Sequence, residues 1–197
     1  MPEITVRPAE PADEPAVVGV ITLAFSADPM ARWVQPDAGR YVATMPDATR
    51  AFGGRAFESQ SAYVDDACRG AALWLAPGVE PDVERLIALF EANVPGDRLP
   101  DLLQIFEQME HYHPAEPHWY LPVIGVDPAC QGSGCGSALM RHACDLFDRD
   151  HVWAYLESSN PRNISLYERH GFERLGTIQV GSSPPIVPMS RRPRARD

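Results

Sequence analysis

A chain of 197 residues, 45% hydrophobic and 22% charged, carries enough apolar material to bury a core without disulfide or metal staples. Its formal net charge of −10 argues against general binding to nucleic acid or anionic membrane, which runs on clustered positive charge, and suits a cationic acceptor such as an amine. Four cysteines with no CxxC pair, Cys68, Cys130, Cys135 and Cys144, are too sparse for a disulfide framework.

The opening stretch MPEITVRPAEPADEPAV is acidic and proline-rich and lacks the basic start of a signal peptide. The longest apolar run, Ala16 to Phe25, is about half of a membrane span, and a cytoplasmic location is expected. Ile4 to Arg7 reads as a strand and Asp13 to Ala27 as an amphipathic helix, stopped by Ser26-Ala27-Asp28-Pro29. Residues 38–57 look helical, with interruptions expected at Pro46 and at Gly53-Gly54. Ser61 to Asp65 and Gly70 to Ala76 form a predicted hairpin. Asp82 to Asn93 and Leu99 to His111 are predicted helices split by Val94-Pro95-Gly96-Asp97. Tyr120 to Val126 is an apolar strand that Asp127-Pro128 ends, followed by the loop Gln131-Gly132-Ser133-Gly134-Cys135-Gly136. Beyond it Leu139, Ala143 and Phe147 recur at the spacing of one helix face. Val152 to Leu156 is β-prone and leads into a helix of about ten residues, with Asn160 as N-cap, Pro161 at its first position and Gly171 as its stop. Arg174 to Val180 and Ile186 to Ser190 close the chain as an antiparallel pair, and residues 191–197 form a charged tail expected to fray. With no repeat and no linker, residues 1–197 read as one mixed α/β domain in three layers.

Strand, glycine loop and helix N-terminus together make a device for holding phosphate. Glycines let the backbone approach, and the first helical turn offers free N–H groups and about half a positive charge. A P-loop is excluded, because it needs a lysine and all 17 basic residues here are arginine. The dinucleotide fingerprint GxGxxG fails on spacing. What remains is Gln-x-x-Gly-x-Gly, at Gln131, Gly134 and Gly136, followed downstream by Asn163 and Tyr167 at i and i+4 on one helix face.

These two ordered segments resemble the acetyl-CoA loop and the last strand–helix unit of the GNAT acetyltransferase superfamily. Together with AFSADPMARW and EPHWYL, they look like its puromycin N-acetyltransferase-like branch, most clearly over residues 114–175. The resemblance implies a mostly antiparallel central sheet flanked by helices, in which a bulged strand splays from its neighbour to open the acetyl-CoA cleft. It implies direct transfer of acetyl from acetyl-CoA, the co-substrate, to a primary amine of a small molecule in a ternary complex. No metal is implied, and a homodimer is allowed. The donor would lie along Ile124, Gly125 and Val126, with its pyrophosphate on Gln131, Gly132, Ser133, Gly134, Cys135, Gly136 and Ser137. Asn160 and Asn163 would face the pantetheine arm, and Tyr167 would face the departing thiolate as general acid. Pro122 has no N–H, so the oxyanion donor is expected to be the backbone N–H of Val123, with Leu121 as the alternative.

Each residue also has a structural reading. Tyr167 alone is a core tyrosine, Asn160 a cap, and Glu157 a carboxylate complementing the next helix. As base, Glu157 at the strand end and His118 at the start of the donor strand are the candidates, with His111 and His113 just upstream. Trp119 and Tyr120 read as packing. Cys130, Cys135, His142 and Cys144 mimic a zinc set, but small packing residues explain them better. Two other functions use the same scaffold: an acetyl-CoA sensor or inactive module, and a protein or peptide N-acetyltransferase.

Overall fold

The computed structural model describes residues 4–194. The elements are β1 (Val6–Pro8), α1 (Glu14–Ala24), α2 (Pro29–Val34), α3 (Ala38–Gly53), α4 (Arg55–Glu58), β2 (Ala62–Asp65), β3 (Gly70–Leu75), α5 (Val83–Asn93) and α6 (Leu99–Tyr112). They continue through β4 (His118–Val126), α7 (Cys135–Asp150), β5 (Trp153–Ser158), α8 (Ile164–Arg169), β6 (Glu173–Arg174) and β7 (Val187–Arg191). The strands form one seven-stranded sheet in the order β1-β2-β3-β4-β5-β7-β6. Only β4 and β5 run parallel, joined by the α7 crossover; the other neighbours are antiparallel. This is the mixed, mostly antiparallel sheet that the sequence implies. None of the helices is long and apolar enough to cross a membrane, among the described residues.

Strand alternation sends side chains to opposite faces. From β3, Ala72 and Trp74 meet Leu139, Ala143 and Phe147 of α7 on one side. Ala71, Leu73 and Leu75 meet Val17 and Ile21 of α1 and Ala56 of α4 on the other. A third apolar cluster joins Trp33 of α2 to Leu102, Ile105 and Met109 of α6 and to Ile178 and Ile186.

Four boundaries differ from the sequence reading. Pro46 does not interrupt α3: its missing N–H idles the carbonyl of Val42, a residue 63% exposed where water can reach. Asp28-Pro29 ends one helix and starts another, because the Asp28 carboxylate accepts the N–H groups of Met30 and Ala31 and so caps α2. The closing pair shrinks to β6 against β7, with a lone bridge Ile178↔Ile186. Nor does the tail fray at Arg191. That side chain is buried, pairs with both carboxylate oxygens of Asp148 at 2.8 and 2.6 Å, and also donates to the His170 carbonyl. The Arg194 N–H adds a bond to Asp148; residues 195–197 lie outside the described residues.

Candidate active site

The cleft begins where two parallel strands part. β4 pairs with β5 from His118↔Trp153 to Leu121↔Leu156 and then stops. Past that point β5 follows β7, through Glu157↔Pro188 and Ser158↔Val187, while β4 stays on β3 through Val126↔Gly70. A bulge drives the separation. Leu73 faces Val123 and Leu75 faces Tyr120, so Leu121 and Pro122 together oppose Trp74, and the strand bends. Proline fits this position because a bulge residue is excused from the ladder.

The gap leads to a loop cavity of about 540 Å³. Ile124, Gly125, Val126, Gln131, Gly132, Gly134, Cys135, Gly136, Ser137, Asn160, Asn163 and Tyr167 all line it. Gly132 and Gly134 hold φ of +77° and +93°, values that side chains rarely adopt. A Cβ added at Gly132 would meet nothing within 4 Å and one at Gly134 only Ile4 Cδ1 at 3.9 Å, so both backbones border open space. The first intrahelical bond of α7 runs from Ala138 N–H to the Gly134 carbonyl, which leaves the N–H groups of Cys135, Gly136 and Ser137 for an anion. These residues fit a pyrophosphate. Ser133 does not reach the wall; its hydroxyl is buried without a hydrogen-bond partner among the described residues. The Cys135 thiol turns into the core, where burial pushes it up to about 11.

A second, inner cavity of about 200 Å³ lies between the sheet and α2, α3, α5 and α6. Phe25, Asp28, Ile124, Asn163 and Tyr167 line both cavities. They mark the junction. Tyr167 is 4% exposed, and burial, then the Asp28 carboxylate, push its phenol well above the ordinary value. The phenol is therefore neutral at physiological pH. Full proton transfer from it to a thiolate of ordinary pKa about 8.5 would run uphill, so the phenol is suited to donate a hydrogen bond rather than a proton. Burial also raises Asp28, against the bonds it accepts from Ala31, Ser159 and Met30.

Val123 and Glu157 border the inner cavity. The Glu157 side chain is 5% exposed, its Oε1 has no hydrogen-bond partner among the described residues, and His113 Nε2 stands 3.5 Å from that atom. His118 sits one place further out, its Nε2 at 3.0 Å from His113 Nδ1 and its Nδ1 at 2.9 Å from the Glu116 carbonyl. A carbonyl only accepts, so His118 Nδ1 carries the proton. Burial pushes His118 below its ordinary value, so the ring is neutral and Nε2 accepts from His113 Nδ1. With Nδ1 turned to His118, His113 Nε2 is the ring nitrogen that faces Glu157 Oε1. Tyr120 and Tyr155 crowd the same carboxylate, which adds to burial in raising both phenols.

The structure thus brings Glu157 and Tyr167 to one chamber and leaves His118 outside its lining, reached through His113. His111 bonds the Glu107 carbonyl on its own helix instead. Asn160 does cap, accepting the Arg162 N–H at 3.1 Å, and also borders the loop cavity. Sequence reasoning passed over Asp28, read as a helix breaker, and Arg162 and Arg169, which put positive charge on the loop cavity's wall. No three His, Cys, Asp or Glu side chains group as metal ligands among the described residues.

Residues 49–172 match the model of the Acetyltransferase (GNAT) family, and the chain belongs to that family. Its fold is similar to that of a Corynebacterium glutamicum protein described as histone acetyltransferase HPA2 and related acetyltransferase, with TM-score 0.68 and 28% identity over 98% of each chain. It is also similar to mosquito arylalkylamine N-acetyltransferase like 5b, with TM-score 0.66, 12% identity, and 96% and 100% of the two chains covered, a likeness of fold alone. Locally the chain is 45% identical over 53 residues to mycothiol acetyltransferase of Beutenbergia cavernae, covering 25% of this chain and 18% of that protein. It is 40% identical over 53 residues to N-alpha-acetyltransferase RimI of Mycobacterium tuberculosis, covering 27% and 34%. The chain therefore matches well under half the length of these curated relatives.

Proposed function

We propose that the protein is an N-acetyltransferase that moves the acetyl group of acetyl-CoA directly to a primary amine of a small molecule. The observation that carries this reading is the meeting of the loop cavity and the inner cavity at Tyr167, with a buried carboxylate, Glu157, on the inner side only. GNAT acetyltransferases use acetyl-CoA as co-substrate, and it supplies the acetyl group as a thioester. Gly132, Gly134 and the first turn of α7 hold its pyrophosphate, Arg162 and Arg169 add charge, and the open edge of Ile124 to Val126 takes the pantetheine arm. Glu157 removes a proton from the ammonium and shares it with His113. The freed nitrogen lone pair forms the N–C bond at the thioester carbonyl while the Val123 N–H holds the oxygen. The C–S bond then breaks with its electron pair left on sulfur, where Tyr167 donates a hydrogen bond. The amine's second proton leaves through the same base once the first has passed to water, and CoA leaves as the thiolate, which takes its proton from water outside the cleft. Glu157, His113, Tyr167 and Val123 thereby supply a base, an outlet, a donor and an oxyanion contact.

The likeness of residues 114–175 to the puromycin N-acetyltransferase-like branch supports a small-molecule acceptor over a protein one. The test is thiol release from acetyl-CoA with a panel of amines, aminoglycoside and aminonucleoside antibiotics, and peptides. Turnover with small amines is expected. Turnover with peptides alone would move the reading to a protein acetyltransferase, and binding of acetyl-CoA without turnover on any acceptor would make the chain a sensor.

A further inference from the structure

The lining of the inner cavity reads as a description of its occupant. Resting on the acetyltransferase reading above, we infer that the acceptor is a monoamine whose body is a single uncharged ring on a short aminoalkyl arm, with a neutral polar group that meets Thr49.

Charge narrows the class first. Among the described residues, the charged side chains that line the cavity are Asp28 and Glu157, both acidic; no arginine or histidine reaches it. Two carboxylates near the junction attract an ammonium and repel an acid. Away from the junction the walls come from Phe52 of α3, Leu86 and Phe90 of α5, and Ile105, Phe106 and Met109 of α6. Phe106 contacts both other rings, with centroids 6.1 Å from Phe52 and 5.5 Å from Phe90. A carboxylate on the acceptor would lie beside like charge with no cation to pair it. A second ammonium would be buried among these apolar walls. Either arrangement strands an unpaired charge out of water, at a cost that binding cannot offset.

Size narrows it further. A cavity of about 150 Å³ lined by aliphatic and aromatic groups binds benzene. The inner cavity, at about 200 Å³, has room between its walls for a ring and a short arm. Its aromatic walls offer an apolar ring edge-on and tilted contacts of the kind they already make with each other.

A buried hydroxyl sets the last feature. Thr49 lines the cavity, is 1% exposed, and its Oγ1 has no hydrogen-bond partner among the described residues. In a helix a threonine hydroxyl ordinarily bonds the carbonyl one turn back, as Thr44 does to Arg40 on the same helix. Thr49 forgoes that bond, which leaves a desolvated donor and acceptor that a ligand's hydroxyl would satisfy.

The test measures kcat/KM for tyramine, 2-phenylethylamine, phenylalanine, spermidine and an N-terminal peptide with the wild type, and for the first two with Thr49→Val. Both single-ring monoamines should exceed phenylalanine, spermidine and the peptide by at least about a hundredfold, the loss expected when a site buries an unpaired polar group. Tyramine should lead 2-phenylethylamine, and Thr49→Val should erase that lead, by about two- to tenfold for one hydrogen bond. Since the wild-type hydroxyl is unsatisfied, Thr49→Val should fold with an unchanged or higher melting temperature and keep its acetyl-CoA affinity. Preference for spermidine, phenylalanine or the peptide overturns this inference and leaves the acetyltransferase reading standing. A tyramine lead that survives in Thr49→Val overturns the Thr49 contact. If acetyl-CoA binds and no amine in the panel or among the antibiotics is acetylated, the acetyltransferase reading itself fails.

Discussion

At the scale of single residues, the site turns on a buried phenol, Tyr167, and a buried carboxylate, Glu157. Tyr167→Phe keeps the ring that packs on Phe172 and removes the proposed hydrogen bond to sulfur. Stability and acetyl-CoA binding should hold, while kcat should fall by about 10², the low end for positioned acid catalysis, since thiolate is already a tolerable leaving group. Because burial and Asp28 raise the phenol, wild-type kcat should show no alkaline fall from this group up to about pH 10, the ordinary phenol range. Comparing kcat against pH for both proteins, with melting temperatures alongside, checks both points. His113→Gln retains hydrogen bonding without a titratable ring. It should lower kcat at neutral pH while acetyl-CoA affinity and melting temperature stay level; an unchanged kcat would leave His113 as packing. Tyr167 and Glu157 were legible because each sits at a fixed offset in a recognisable strand–helix segment. His113 is a candidate beside His118 in the sequence, but its meeting with Glu157 was not legible, since that carboxylate lies 44 residues on, at 3.5 Å, and spacing along the chain does not record that. Asp28 carried a cap signal, Asp-Pro before a short apolar run, that a reading focused on where α1 ends overlooked.

At the scale of elements, the strand–loop–helix proposed to hold phosphate and the Arg191–Asp148 clamp between β7 and α7 are separately testable. Gly134→Val asks a β-branched residue to hold a φ of +93° and places a side chain in the loop cavity, so the protein should stay folded and lose calorimetric acetyl-CoA binding at least tenfold. Gly125 has a different reason to be glycine. A Cβ there would sit 2.6 Å from Ala24 Cβ, so Gly125→Ala should lower the melting temperature by forcing α1 off β4. Asp148→Ala strands a guanidinium that is 2% exposed, a change that typically costs about 3–5 kcal/mol, readable by denaturant unfolding. The strand–loop–helix and the order of most elements were legible from hydrophobic period and turn residues. The clamp was not: Arg191 begins a run of charge that reads as solvent-facing until β7 places it beside α7. Pro46 misled for the opposite reason, because a local rule against proline yielded to one water-accessible turn of a long, otherwise well-packed helix.

For the whole molecule, stability and chemistry separate by pH. The Arg7 guanidinium, and then the Glu10 N–H, hold the Asp13 carboxyl at about 2, against an ordinary 3.8. A depressed carboxylate stabilises the fold above its unfolded value and loses that contribution as pH falls toward its folded one. Asp13→Asn should therefore be less stable than wild type above about pH 4, with the gap closing toward about pH 2 in a melting series. Glu157 and Tyr167 lie apart from that ion pair, so activity should be indifferent to the same substitution near neutral pH. The central claim is that acetyl passes directly between two chambers that share Tyr167, with no stop on the protein. Cys135 and Cys144 give it no stop of obvious use, since burial pushes their thiols up to about 11. Initial rates measured over a grid of acetyl-CoA and amine concentrations, with intact-protein mass recorded during turnover, test this most directly. Intersecting double-reciprocal lines and an unmodified protein are the predicted result. Parallel lines, together with one acetyl group appearing on the chain and decaying at the turnover rate, would contradict it.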